Sequence, residues 1–260
     1  MTSNLTRSKQ TEKLLGWPFR WERLALASGI LFVAVQIATV AFNVAFFLTT
    51  HPPMDASPQE TARGFAEHAT MVEIGTYLYV LHLPFWLLFL GGLFGVLRRA
   101  EGGSGALSVS TFGAGVAMVV IASMGALVTS LTPTIGQLGG DAATVKAIDA
   151  MTPLALALSA FPRAVLLGAT SVVLLEGRIA PRWIGWAGLA LGAISLVSTG
   201  TLLAPALFPL LALGTLLFVV WVAALTVALL RSTRTGSRVA PRADDAGRTY
   251  VEYDEMIGRK

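Results

Sequence analysis

The chain has 260 residues, of which 54% are hydrophobic and only 13% are charged, with a formal net charge of +4. Soluble domains average about 25% charged residues, so this composition excludes a soluble enzyme fold and favours a membrane protein. There is no cysteine, which excludes thiol catalysis, disulfides, and iron–sulfur or zinc–thiolate sites.

The positive charge belongs to residues that flank apolar segments, so membrane topology explains it and nucleic acid is not an expected partner. Arginine outnumbers lysine fifteen to four, a bias compatible with a GC-rich bacterial genome. We therefore predict a multi-pass protein of a bacterial cytoplasmic membrane, in contact with membrane lipids. No motif indicates a metal site or a cofactor, and we expect neither.

Six apolar runs are each long enough for a membrane-spanning helix, which takes about 20 residues. The fold class is therefore all-α. Residues 1–23 form a cytoplasmic N-terminal segment, residues 24–231 a six-helix transmembrane domain, and residues 232–260 a polar tail predicted to be disordered. The six predicted helices are 24–48, 72–97, 107–131, 153–175, 183–203 and 206–230.

Lysine and arginine are strongly biased to one side of these helices. With the N-terminus inside, sixteen of the nineteen basic residues fall on the cytoplasmic side. Only Arg63 and Lys146 fall outside, and Arg163 lies within a helix. The positive-inside rule therefore predicts that both termini are cytoplasmic.

The two longer outer loops each predict a short amphipathic helix. In the first loop, Ser57 and Glu60 have the spacing of a capping box, with Pro58 at the first helical position. In the second loop, Asp141 is the expected N-cap. The last two spanning helices are separated by a predicted tight turn near Ala204, where glycine and prolines interrupt the apolar run.

Pairs of glycines four residues apart predict close contacts between helices, because small residues let backbones approach. One pair is Gly91 and Gly95 in the second predicted helix. The other is Gly188 and Gly192 in the fifth.

Arg163 is the most informative polar residue, because the sequence places it about 15 Å below the outer end of the fourth helix. A charge at that depth costs roughly 2.5–3.5 kcal/mol on insertion scales, so it should face the interior of the bundle and have partners. Ser159 and Thr170 share its face of the helix. Gln36, Asn43 and backbone carbonyls are its candidate partners.

Other polar residues fall at similar depths in the first two helices. Together with Arg163 they predict a polar cluster in the outer half of the bundle, covered by the two loop helices, with Glu73 at its mouth. The other expected ligand-binding members are Gln36, Asn43, Tyr77, Tyr79 and, as a hydrogen-bonding group, His82.

Three functional hypotheses remain open. The first is a protein that binds or transports a small lipophilic or anionic molecule through an outward-opening polar pocket around Arg163. The second is a membrane enzyme acting on a lipid or isoprenoid, such as a terpene cyclase, with Glu73 or His82 as the catalytic acid–base group. The third is a scaffold or accessory subunit that acts through its tail. A purely structural network around Arg163 is the alternative to a pocket.

Overall fold

The computed structural model describes residues 3–49 and 56–236, and all regular structure within these ranges is helical. Two short 3-10 helices, Thr199–Leu202 and Pro205–Leu207, precede the last α-helix. The α-helices in chain order are α1 (Ser3–Thr49), α2 (Pro58–Glu67), α3 (Ala69–Leu81), α4 (Leu83–Glu101), α5 (Ala106–Gln137), α6 (Ala142–Asp149), α7 (Met151–Gly177), α8 (Arg182–Ser198) and α9 (Phe208–Gly236).

Six helical segments are long and apolar enough to cross a membrane, as the sequence predicts. The chain is therefore an all-α polytopic membrane protein. We refer to these segments as spans one to six. Their bounds are Trp21–Phe46, Ala69–Glu101, Ala106–Gln137, Ala142–Gly177, Arg182–Leu202 and Phe208–Ser232.

Both ends of the transmembrane domain extend further as helix than the sequence predicts. α1 begins at Ser3 and α9 continues to Gly236, although polar residues follow Leu230. The predicted tail therefore starts with a helical stretch over 232–236. Its remaining residues, 237–260, lie outside the described residues.

The six spans form a closed ring in chain order. Each span packs against the next, and α1 also contacts α9, which joins the first span to the last. The inner half of this ring is filled by large apolar side chains from several helices. The fully buried ones include Leu26, Phe89, Leu93, Leu166, Leu174 and Leu225.

The two short outer helices, α2 and α6, pack against each other and against α5. The capping box is confirmed, since Ser57 and Glu60 exchange both of its hydrogen bonds. These bonds lower the pKa of the Glu60 carboxyl, because they favour its charged form. Asp141 occupies the N-cap position of α6, but its side chain makes no capping bond, so that part of the prediction is wrong.

Phe65, Val72 and Val145 form a small apolar cluster that joins the loop helices to the second span. Val145 comes from α6 and Phe65 from α2, while Val72 belongs to α3. The loop helices therefore cover the outer end of the ring, as predicted.

The second span is interrupted at His82, between α3 and α4. Pro84 follows two residues later, and a proline has no N–H to donate to the carbonyl of Val80. The interruption separates the outer third of the span, which faces the loop helices, from its inner part. The predicted turn between spans five and six is also confirmed, and the Ala204 N–H there bonds to the Gly200 carbonyl at 2.8 Å.

The predicted close contacts at glycine pairs are confirmed in α8 but not in α4. Gly188 and Gly192 are buried against neighbouring helices. Gly91 faces open space, however, and the nearest groups to Gly95 are side chains at 3.7 Å or more. The contact with α1 is made instead by Gly92, where an added Cβ would lie 2.8 Å from the Leu26 backbone nitrogen. The predicted contact at Gly91 and Gly95 is therefore wrong, and the close contact lies at Gly92, one position after Gly91.

Candidate functional site

A cavity of about 440 Å³ lies in the outer half of the ring, under the loop helices. Its walls come from spans one, two, three, four and six, and its lining is mainly apolar. Phe65 of α2 contributes to the cover. The principal apolar wall residues are Phe46, Val72, Ile121, Ala122, Ala126, Leu156 and Phe208.

The lining of the cavity also contains several polar side chains. Lys146 and Asp149, from α6 in the outer loop, line the outer end of the cavity, which we call its mouth. Asn43 lines the wall from α1, where Gly75 of α3 allows the close approach; an added Cβ at Gly75 would lie 3.0 Å from the Asn43 Oδ1 atom. The remaining polar lining residues are Thr76, Tyr79, Thr129, Thr152 and Ser159.

Arg163 is almost completely buried at the middle of α7, with 2% of its surface exposed. Its Nε atom donates to Ser195 Oγ of α8 at 3.1 Å, and its Nη1 atom donates to Thr215 Oγ1 of α9 at 2.7 Å. The Nη2 atom has no hydrogen-bond partner among the described residues. Arg163 is therefore held by hydroxyl groups of spans five and six.

The partners of Arg163 differ from the expected ones, Gln36 and Asn43 of the first span. Sequence periodicity places Ser159 and Thr170 on the same face of α7 as Arg163, but it does not say which helix lies opposite. In the structure Thr170 lies within hydrogen-bond distance of Thr111, at 3.3 Å between their hydroxyl oxygens. Ser159, one turn outward from Arg163, lines the cavity.

Tyr79 connects the cavity to the polar residues beneath it. It lines the cavity, and its ring packs edge-on against the His82 ring, with centroids 5.1 Å apart. Arg163 itself does not line the cavity, and its nearest lining neighbour along α7 is Ser159. The predicted polar pocket around Arg163 therefore stays a prediction.

His82 and Gln36 lie in the buried layer beside the floor of the cavity, and neither lines the cavity. The His82 ring is in contact with Phe32 at 5.4 Å between centroids, as well as with Tyr79. His82 Nδ1 and Gln36 Oε1 have no hydrogen-bond partner among the described residues. Both residues are thus inside the bundle, as predicted, but in a mainly apolar environment.

Tyr77 and Glu73 point away from the cavity. Tyr77 is 67% exposed and Glu73 is also exposed on the outside of α3. Tyr77 is two residues from Tyr79, which is about 200° around a helix, so the two rings cannot face the same interior. The predicted placement of Tyr77 in the interior cluster and of Glu73 at the mouth is wrong.

Sequence reasoning missed several polar residues at or near this site. Lys146 and Asp149 belong to a loop helix that the sequence did predict, so their place at the mouth could have been anticipated. Ser195 and Thr215 lie in strongly apolar helices. They could be identified only once Arg163 is known to face them.

Within residues 3–49 and 56–236, no group of three or more histidine, aspartate or glutamate side chains could hold a metal ion. No known protein family, curated protein or solved structure matches the chain. The fold and the cavity thus define a class, a six-span helical membrane protein with a covered cavity in its outer half.

Proposed function

We propose that the protein binds a small lipophilic molecule in the outer-half cavity. The observation that supports this most directly is the cavity itself, about 440 Å³ and walled by five spans. Binding sites for small molecules have volumes of about 300–1,000 Å³, mainly apolar linings and a few placed polar groups. This cavity has all three properties.

The arrangement favours binding over passage through the membrane. Below the cavity, the buried core of Trp86, Phe89 and Leu90 fills the inner half of the ring together with residues of the other spans. A ligand that enters from the outer side therefore meets a packed apolar layer. The proposed activity is capture at the outer side, and transport would require these helices to separate.

The enzyme hypothesis gains no support from the geometry. A general acid or base has to be within hydrogen-bond reach of its substrate, either directly or through one water. Neither Glu73 nor His82 lines the cavity. The scaffold hypothesis depends mainly on residues 237–260, which lie outside the described residues.

Filling the cavity tests the proposal. Ala122 lines the cavity on α5, whereas Val120 of the same helix is 55% exposed on the outer surface of the ring. We expect Ala122→Phe to occupy space that the ligand needs. Val120→Phe adds a similar ring on the outside and serves as the matched control.

The measurement is mass spectrometry of small molecules that remain with the purified protein in lipid nanodiscs, relative to the bulk membrane extract. We expect one class of lipophilic molecule to be enriched with the wild type and with Val120→Phe, and lost with Ala122→Phe. If Ala122→Phe retains the same molecule at the same level, or if the wild type enriches none, the proposal is wrong.

A further inference from the structure

The charge of Arg163 is not neutralised by any acidic side chain in the described part of the chain. The side chain is 2% exposed, and its two hydrogen-bond partners there, Ser195 and Thr215, are neutral hydroxyls. Hydroxyl groups satisfy N–H donors, but they do not balance a positive charge. A cation in the middle of a spanning helix is costly to bury and marks a functional site more often than a packing position.

The uncompensated charge lies next to the cavity floor. Ser159, one helical turn outward from Arg163, lines the cavity, whereas Arg163 lies just beneath the lining. One guanidinium nitrogen, Nη2, is buried and has no hydrogen-bond partner among the described residues. This donor is therefore not used by any group in the described part of the chain.

A second unpartnered polar group lies in the wall of the cavity. Thr76 lines the cavity on α3, one turn above Tyr79, and its Oγ1 atom is buried with no hydrogen-bond partner in the described residues. Thr76 and Tyr79 therefore present hydroxyls on the same side of α3 at successive depths. Polar groups of this kind, placed in a mainly apolar wall, set the orientation of a bound molecule.

The mouth of the cavity has a different charge pattern. Lys146 and Asp149 both line it and lie three residues apart on α6, so one positive and one negative charge meet there. The mouth offers no net positive charge to an anionic ligand. The floor, with Arg163, does.

We propose that the ligand is an amphiphile with a single negative charge, bound with its acidic group at Arg163 and its apolar part in the outer cavity. This inference rests on the proposed function and adds the chemical class and the orientation of the ligand. One guanidinium charge matches one negative charge, and a carboxylate accepts hydrogen bonds from both guanidinium and hydroxyl donors.

The test compares two probes that differ only in the head group, dodecanoate and dodecanol. Binding of each radiolabelled probe is measured in zwitterionic lipid nanodiscs, with empty nanodiscs as the baseline, at about pH 9, where the carboxylate is ionised. For the wild type we expect dodecanoate to bind on the order of tenfold more tightly than dodecanol, the ratio typical of one charge-assisted hydrogen bond.

Variants of Arg163 separate a binding role from a structural one. Arg163→Gln should bring the ratio of the two affinities close to one while dodecanol still binds, and Arg163→Lys should restore a preference for dodecanoate. The ratio is measured on the folded fraction of each sample, so a partial loss of stability does not change it. Lys146→Gln is the control at the mouth and should leave the ratio unchanged.

The outcomes distinguish the two proposals. If the wild type binds both probes equally, or if Arg163→Gln keeps the preference for dodecanoate, the anionic class is wrong while a lipophilic site stands. If Lys146→Gln removes the preference and Arg163→Gln does not, the ligand lies with its acidic group at the mouth and the proposed orientation is wrong. If Ala122→Phe leaves the binding of both probes unchanged, the cavity itself is not the site and the proposed function fails.

Discussion

Arg163 shows how hydroxyl groups stabilise a buried cation without removing its charge. The hydrogen bonds that the guanidinium donates to Ser195 and Thr215 replace some of the water that it loses in the membrane. Because both partners are neutral, the electrostatic cost of burial remains. The side chain is thus fixed in position while its charge remains uncompensated, which is the property on which the proposed anionic ligand depends.

Replacing Thr215 tests this hydroxyl support. Thr215→Val removes the 2.7 Å bond to Nη1 and should destabilise the protein by about 1.5–3 kcal/mol, the usual contribution of a hydrogen bond to a charged group. The measurement is thermal unfolding in nanodiscs. Thr226→Val on the same helix is the matched control, because both threonine hydroxyls bond to the carbonyl four residues earlier and Thr226 is not a partner of Arg163.

Thr226→Val should have a clearly smaller effect than Thr215→Val. Equal destabilisation by the two substitutions would show that the bond to Arg163 contributes little. The destabilisation by Thr215→Val would then reflect only the contacts of the threonine side chain within and around α9.

At the scale of the helices, the contact between α1 and α4 depends on Gly92. An added Cβ would lie 2.8 Å from the Leu26 backbone nitrogen and 3.0 Å from the Ala25 Cβ atom. Since the first of these is a backbone atom, the clash cannot be relieved by a side-chain rotation. The two helices would have to move apart, and this pair of spans forms one wall of the ring.

The neighbouring glycines 91 and 92 form a natural matched pair for mutagenesis. Gly92→Ala should lower stability by about 1–3 kcal/mol, the typical cost of overpacking a tight contact. Gly91→Ala should be neutral or slightly stabilising, because its Cβ would enter open space and alanine favours a helix over glycine. Thermal unfolding of both variants measures the difference. Similar melting temperatures would contradict the close approach at Gly92.

At the scale of the whole molecule, the ring is asymmetric across the membrane. Its outer half encloses a cavity covered by α2 and α6, while its inner half is filled by a continuous apolar core. The charge bias predicts that the filled half faces the cytoplasm. In that orientation the proposed ligand would reach the cavity from the opposite side of the membrane.

The orientation can be measured with single cysteines, because the chain has none of its own. A membrane-impermeant maleimide should label Gln59→Cys and Ala143→Cys, on the exposed faces of α2 and α6, in intact cells. It should label Ser104→Cys and Ser232→Cys, both exposed near the inner ends of spans, only after permeabilisation. The reverse pattern would place the cavity on the cytoplasmic side.

Local properties of the chain were sufficient to predict much of this architecture. The six spans follow from runs of about 20 apolar residues, and the Ser57–Glu60 capping box follows from four adjacent residues. The burial of Arg163 and His82 follows from their depth in apolar segments. Each of these features depends on residues that are close in sequence, so no knowledge of neighbouring helices is needed.

Only the tertiary structure decided which helix faces which. Helical periodicity sets the angle between residues of one helix, for example between Tyr77 and Tyr79, but not the direction in which that helix is turned relative to its neighbours. The hydroxyl partners of Arg163, the outward position of Tyr77 and the contact at Gly92 all depend on that rotation. The rotation is set by packing among all six spans at once, and residues within a single span do not specify it.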